Sequence, residues 1–96
     1  MTSLQGPAAP LLTLAVAHGW TVLESRQVRR RLLPNTKVSL GHEDRHLIIE
    51  HSFSGRLYRH QTFTTPGQRP YLLYTTDAVE AVIETRVAPP GARQLP

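Results

Sequence analysis

The sequence predicts a small α+β domain in which an antiparallel sheet of three to five strands is flanked by an N-terminal and a C-terminal helix, in the order α-β-β-β-β-α. A chain of 96 residues, 40% of them hydrophobic, fits one domain with a single core. Helical spacing of apolar residues is confined to two segments near the ends, and short β-type runs lie between them. We expect a single domain over residues 10–87, an N-terminal extension over residues 1–9 and a flexible tail over residues 88–96.

The first helix is predicted over residues 10–18, where Leu11, Leu14, Ala15 and His18 recur at positions i, i+3, i+4 and i+7 of one helical face and neighbouring apolar residues widen it. Gly19 follows, and glycine readily adopts the left-handed conformation that ends a helix. Trp20 is then placed to pack back on the last turn. The helix therefore ends at a defined point and leads directly into the sheet.

The middle of the chain contains short runs rich in β-branched and aromatic residues, which predict four strands over residues 20–25, 36–41, 46–53 and 56–64. The second and third strands can form a hairpin. Pairing Leu40 with Leu47, and Val38 with Ile49, places all four apolar side chains on one face of that hairpin. We therefore expect this register.

The dipeptide Ser54-Gly55 is a tight-turn signal between the third and fourth strands. A two-residue turn at this point would place Glu50 directly opposite Arg59. Because opposite charges stabilise a cross-strand pair, the two residues support that register independently.

The second helix is predicted over residues 77–87, after a short apolar segment at residues 71–74. Thr76 or Asp77 can cap its first turn. Its buried stripe is expected to consist of valine and isoleucine at helical spacing: Val79, Val82, Ile83 and Val87.

The stretch SRQVRRRLL, residues 25–33, places four arginines in six positions. Neither alternating face of this run is apolar, which favours an edge strand or a projecting arm over a central strand. Guanidinium groups bind carboxylates and phosphates through paired hydrogen bonds. The candidate binding residues are the arginines of this run and three basic residues that follow it, namely Arg26, Arg29, Arg30, Arg31, Lys37, Arg56 and Arg59. A charged edge that prevents sheet-to-sheet association would explain the same run.

Catalytic and metal sites are not predicted. The chain has no cysteine, and no nucleophile, phosphate-loop or zinc-protease motif occurs. His42 and His46 have a spacing that converges on one ligand only in a helix, whereas this stretch indicates a solvent-facing turn. His51 and His60 are interpreted as part of a half-buried polar patch on the sheet. We therefore expect no enzyme activity, no metal and no cofactor, although these four histidines leave a metal-dependent enzyme as a third hypothesis.

The N-terminus carries no Lys or Arg ahead of an apolar core, and the apolar run from Leu11 to Ala17 is far shorter than the roughly 20 residues that span a bilayer. We therefore expect a cytoplasmic protein without a membrane partner. The formal net charge of +4 favours loose attraction to polyanions but does not itself indicate a partner.

The order of elements resembles that of the double-stranded-RNA-binding domain. Members of that family carry a basic cluster at the start of their final helix, whereas here that start contains Asp77 and Glu80 and is acidic. The RNA-binding function of that family is therefore not expected of this helix.

The phrase LAVAHGWTVLE, residues 14–24, resembles the opening of small uncharacterised accessory proteins of actinobacteria and their phages, in which a helix, His-Gly-Trp and a strand follow one another. The resemblance covers about the first quarter of the chain. It implies a phage-encoded cytoplasmic accessory protein that acts by binding a host component, and it carries no site residues across.

The leading functional hypothesis is a small non-enzymatic interaction protein whose basic edge binds an acidic protein surface of a host factor. The alternative is a nucleic-acid-binding protein that uses the same basic segment for phosphate contacts. In that case four aromatic residues could stack on bases if they are exposed: Tyr58, Phe63, Tyr71 and Tyr74. Self-association into a homodimer, through an exposed sheet edge or through residues 71–74, is a further possibility.

Overall fold

A computed structural model describes residues 6–31 and 33–96 of the chain and shows one α+β unit, as the sequence predicts. Within these residues, six strands form a single antiparallel sheet in which every strand lies beside its neighbours in the sequence. The sheet thus has more strands than the three to five expected. The elements in chain order are α1 (Ala8–Ala17), β1 (Thr21–Val28), β2 (Asn35–His42), β3 (Arg45–His51), β4 (Gln61–Thr64), β5 (Tyr71–Leu73), α2 (Thr76–Thr85) and β6 (Arg93–Gln94).

Helix α1 begins two residues earlier than predicted and ends one residue earlier, at Ala17, with His18 as its C-cap. Gly19 has a φ of 88°, the left-handed conformation expected after a helix. The backbone N–H of Trp20 donates to the carbonyl of Ala15 at 2.9 Å, so the chain folds back on the last turn. The start at Ala8 places part of the expected N-terminal extension inside the domain, while residues 1–5 of that extension lie outside the described residues.

Helix α2 is capped one residue earlier than predicted. Thr75 has extended backbone angles, and its hydroxyl oxygen accepts a hydrogen bond from the N–H of Ala78 at 3.0 Å. The prediction of Thr76 or Asp77 as the cap is therefore wrong, because both residues already belong to the helix. The helix ends at Thr85, and Arg86 follows in the left-handed conformation with a φ of 62°.

The predicted hairpin register is confirmed for strands β2 and β3. Leu40 pairs with Leu47 and Val38 pairs with Ile49, so the four side chains lie on one face. His42 pairs with Arg45, so the turn between the two strands consists of the two residues 43 and 44. This register also places the residues that alternate with these four, which include Lys37 and Glu50, on the opposite face of the sheet.

A tight turn is present at Ser54-Gly55, but its register is not the predicted one: the N–H of Gly55 donates to the carbonyl of Ser52 at 2.9 Å, and Gly55 has a φ of 89°. Strand β4 begins only at Gln61, and residues 52–60 form an irregular segment with one isolated bridge between His51 and Leu57. Because His51 bridges to Leu57, Glu50 does not lie opposite Arg59, and on its other side it pairs with Lys37 of β2. The N–H groups of Gly6 and Ala8 donate to the carbonyls of Ser54 and Gly55 at 2.8 and 3.0 Å, so the segment at the start of α1 packs against this turn.

Both helices pack on one face of the sheet and bury its apolar side chains. The indole N–H of Trp20 donates to the carbonyl of Ile83 at 3.0 Å and joins the end of α1 to α2. The core side chains come from alternate strand positions and from the two helical stripes: Leu11, Ala15, Trp20, Val38, Leu40, Leu47, Ile49, Phe63, Leu73, Val79, Val82 and Ile83. The opposite face of the sheet is covered by neither of these two helices of the described residues and is called the open face below.

The segment expected to be a flexible tail contains strand β6. Arg93 pairs with Leu72 and Gln94 with Tyr71 of β5, and the N–H of Leu95 donates to the carbonyl of Pro70 at 2.8 Å. Periodicity could not reveal a two-residue strand, because its hydrogen bonds depend on the position of β5. Val87, which we expected in the buried stripe of α2, lies beyond the helix end and is exposed.

No helix in residues 6–31 or 33–96 has both the length and the apolar character needed to cross a membrane.

Candidate anion-binding surface

The basic run begins on an edge strand. β1 is the first strand of the sheet and has a neighbour on one side only, and seven of its eight residues are exposed. Arg26 lies within β1, and Arg29, Arg30 and Arg31 follow its end. A bulge near Leu23 interrupts the pairing with β2, and such irregularities protect an edge against further strand pairing. Leu32, which contributed to the sequence argument about this run, lies outside the described residues.

Three charged residues form a row across the open face. Arg26 of β1 pairs with Lys37 of β2, and Lys37 pairs with Glu50 of β3. Directly opposite residues on neighbouring strands have their Cβ atoms about 5 Å apart, so each charge acts on the next. Arg26 also approaches the carboxylate of Glu24 at 3.2 Å, but both side chains are 59% exposed and water weakens this pair.

Glu50 is the centre of a buried polar network. Its carboxylate accepts two hydrogen bonds from Arg30, from Nε at 2.8 Å and from Nη2 at 2.9 Å, and a third from the side-chain amide of Asn35 at 3.0 Å. Its backbone N–H donates to the side chain of Gln61 at 2.6 Å. The hydrogen bonds from Arg30, and then that from Asn35, hold the pKa of Glu50 below its ordinary value despite burial.

Arg30 therefore has a different role from the one predicted for it. Its guanidinium is matched in bidentate fashion to an internal carboxylate, which leaves fewer donors for an external partner. The hydrogen bonds to Glu50 also raise the pKa of Arg30. We assign Arg30 to the support of the surface and keep its neighbours as candidate binding residues.

Tyr58 links this network to a further arginine. The guanidinium carbons of Arg30 and Arg59 lie 5.0 and 5.1 Å from the centre of the Tyr58 ring, within the range of cation–π attraction. The backbone N–H of Tyr58 donates to the carbonyl of Glu50 at 2.9 Å, which fixes the irregular segment against β3. Arg59 has a φ of 48° and is exposed, so its charge is presented at the surface.

A pocket of about 180 Å³ opens between these groups on the open face. Lys37 and Arg59 contribute cationic side chains, Thr62 contributes a hydroxyl, and Glu50 with Tyr58 forms part of the wall. Within residues 6–31 and 33–96, neither Lys37 nor Arg59 has a carboxylate within 4 Å. Because Arg30 compensates Glu50, the pocket has an excess of positive charge.

The remaining basic candidates lie elsewhere. Arg29 and Arg31 line a separate groove with Gln27, Leu33 and Pro34, and Arg56 is exposed in the irregular segment. The structure thus brings four of the seven sequence-predicted residues to the open face, namely Arg26, Arg30, Lys37 and Arg59.

The aromatic residues offer few free stacking surfaces. Phe63 is fully buried in the core, so the suggestion that it stacks on a base is wrong. Tyr71 is half-buried and its ring lies 6.5 Å from that of Phe63. Tyr74 is 55% exposed but contacts the ring of His60 edge-on at 5.9 Å.

The histidines do not converge. His46 is exposed as expected, whereas His42 is not a free turn residue because its ring lies 5.6 Å from that of Trp20. His51 is buried and its Nδ1 lies 2.7 Å from the carbonyl oxygen of Ser52, while His60 is exposed beside Tyr74. No group of three or more potential metal-ligating side chains occurs in the described part of the chain.

Sequence reasoning missed Asn35 and Gln61 as members of the Glu50 network. The available signal was an acidic residue at position 50, directly after the apolar run Leu47-Ile48-Ile49 of β3. A buried carboxylate requires several partners, but the pattern could not identify which residues supply them.

Comparison with known proteins identifies no relative: no protein-family model matches this chain, and no curated protein or solved structure is significantly similar to it.

Proposed function

We propose that this protein is a non-enzymatic binding protein that engages an acidic surface of a partner protein through the open face of its sheet. The observation that supports this proposal is the grouping of Lys37 and Arg59 around one pocket with Arg26 beside it, on the face that α1 and α2 leave uncovered. Charge complementarity of this kind increases the rate of association and selects among partners. The phage origin and the host partner implied by the sequence resemblance stay predictions.

An acidic protein surface fits this arrangement better than a nucleic-acid strand. Binding to a strand requires a basic track along the backbone together with free aromatic rings for the bases. Here the basic side chains are divided between the pocket and the separate groove at Arg29 and Arg31. The ring of Tyr58 already contacts two guanidinium groups. Nucleic-acid binding remains the second candidate because the same charges attract phosphates.

The test is fluorescence anisotropy with three labelled probes at low ionic strength: a poly-glutamate peptide, a single-stranded DNA and a duplex RNA. We expect the poly-glutamate peptide to bind most tightly, with an affinity that falls as salt is added. The double variant Lys37→Ala/Arg59→Ala should lose about tenfold in affinity, as expected when paired charges at the centre of an interface are removed.

The control variant is Arg69→Ala/Arg93→Ala, which removes the same net charge from exposed positions outside the pocket. Its affinity for poly-glutamate should remain within about twofold of that of the parent protein. Equal losses in the two double variants, or no binding of poly-glutamate at low salt, would contradict the proposal. Tighter binding of DNA or RNA would favour the nucleic-acid alternative.

A further inference from the structure

The size of the pocket on the open face limits what can enter it. Its volume of about 180 Å³ lies below the roughly 300–1,000 Å³ of small-molecule sites. The pocket is partly open to solvent, so it can accept the end of one side chain, whereas a larger ligand would extend out of it.

The walls of the pocket are held by groups that are already paired. Glu50, which is 6% exposed, and Gln61, which is 2% exposed, are joined by the hydrogen bond from the Glu50 N–H at 2.6 Å. The amide of Gln61 also donates to the carbonyl of Tyr58 at 3.2 Å. Arg30 fixes the Glu50 carboxylate and lies against the Tyr58 ring. These contacts connect β3, β4 and the irregular segment, so the shape of the pocket exists before a ligand arrives.

The chemistry of the pocket indicates the class of ligand. Three cations face one carboxylate, and that carboxylate already accepts hydrogen bonds from Arg30 and Asn35. Lys37 and Arg59 retain free donors, and Thr62 adds a hydroxyl. An oxyanion with two or three acceptor atoms would satisfy these donors, whereas a neutral or cationic group would leave them unpaired.

We propose that this pocket is an anchor site for a single acidic side chain of the partner protein, bound through a terminal carboxylate or phosphoryl group. This inference rests on the proposed function and makes it more specific. Lys37 and Arg59 contact the oxyanion, Thr62 donates its hydroxyl, and the Arg30–Glu50 pair positions the wall. The surrounding basic residues attract the partner, and the pocket determines which side chain of the partner is bound at this position.

The test uses two-dimensional amide NMR of the full chain titrated with sodium acetate, inorganic phosphate and three capped tripeptides. The tripeptides have glycine on both sides of glutamate, phosphoserine or glutamine. We expect saturable shifts confined to amides around the pocket, namely those of Ile48, Tyr58, Gln61 and Thr62. Glutamine should bind at least tenfold more weakly than glutamate, because it lacks the charge and replaces one acceptor with a donor.

Variants separate the pocket from the rest of the surface. Lys37→Ala/Arg59→Ala should abolish the saturable shifts, and Thr62→Val, which keeps the shape of the side chain, should weaken binding several-fold. The control Arg69→Ala/Arg93→Ala should leave the titration unchanged. The affinities of the phosphoserine and glutamate tripeptides decide between a phosphoryl group and a carboxylate, because the tripeptide that binds more tightly carries the preferred group.

Two outcomes would overturn the anchor site. One is a set of shifts that does not saturate and extends equally over the groove at Arg29 and Arg31. The other is equal binding of the glutamine and glutamate tripeptides. In both cases poly-glutamate could still bind the basic face in the anisotropy experiment, so loss of the anchor site is distinguishable from failure of the proposed function.

Discussion

The two faces of the same sheet differ in almost every physical property. On the covered face, side chains from alternate positions, such as Leu40 and Phe63, are fully buried beneath two helices. On the open face, the neighbouring positions carry Lys37, Glu50 and Thr62 and line a charged pocket. Because successive residues of a strand point to opposite sides, one short strand contributes to both the core and the binding surface. Along each strand, substitutions on the covered face should therefore mainly lower stability, and substitutions at the alternate positions on the open face should mainly weaken binding.

The largest effect on stability is expected on the covered face. Phe63→Ala removes a fully buried aromatic ring from the centre of the core and should lower the free energy of unfolding by about 3–5 kcal/mol. Thr62→Ala, one position earlier on the open face, should cost less than about 1 kcal/mol. Urea denaturation of the two variants measures both values. Similar losses would mean that the two faces do not differ in the way described.

Trp20 provides a smaller effect at the edge of the covered face. Trp20→Phe keeps an aromatic ring but removes the N–H that donates to the carbonyl of Ile83, and it should cost about 1–3 kcal/mol. Tyr71→Phe is the control, since within the described residues the Tyr71 hydroxyl makes no hydrogen bond. Thermal unfolding should show a clear loss for the first variant and little change for the second. An unaltered melting temperature for Trp20→Phe would contradict the role of this bond.

The ion pair of the open face should make stability depend on pH. The folded protein holds the pKa of Glu50 below its ordinary value of 4.5, so the stabilisation is present above about pH 4.5 and is lost as the pH falls through the folded pKa. Glu50→Gln removes this contribution. The difference in unfolding free energy between the parent protein and the variant should be largest near neutral pH and should shrink below pH 4.5.

Glu24→Gln is the matched control for that measurement, because the Glu24 carboxylate is paired with Arg26 but is well exposed. Its unfolding free energy should follow that of the parent protein at every pH. If the difference in unfolding free energy between the parent protein and Glu50→Gln stayed constant from neutral to acidic pH, the ionised pair would not contribute in the way proposed.

The smallest effect on stability is expected at the mouth of the pocket. Lys37→Ala and Arg59→Ala, measured singly, should each change the unfolding free energy by no more than about 1 kcal/mol, since neither side chain has a carboxylate within 4 Å in the described part of the chain and the cation–π contact of Arg59 with Tyr58 is exposed. Each should nevertheless weaken anion binding in the NMR titration. A large loss of stability in either variant would indicate a structural role.

Local patterns were sufficient for a substantial part of the fold. The alternation of Val38 and Leu40 against Leu47 and Ile49 predicted the register of β2 and β3, because a slip by one residue would turn every apolar side chain toward solvent. Gly19 likewise predicted the end of α1. These features depend on interactions within a few residues of each other or across one short hairpin.

Predictions were incomplete where distant segments of the chain meet. Composition located the turn at Ser54-Gly55 but did not reveal that Gly6 and Ala8 donate hydrogen bonds to the carbonyls of these two residues. The two-residue strand β6 exists because β5 presents free backbone groups beside it. Neither interaction is visible in a window of sequence.

In the candidate site, too, the sequence predicted the types of residue but not their contacts across the chain. The seven basic candidates were chosen from composition, yet the partner of Arg30 is Glu50, which lies 20 residues further along the chain. Residue types and their alternation along each strand decided the fold class, the buried face and the presence of a basic surface, because hydrophobic burial and strand geometry act locally. Which arginine is neutralised, and which cations surround the pocket, was decided only by the tertiary structure, because ion pairing depends on distances that exist only after folding.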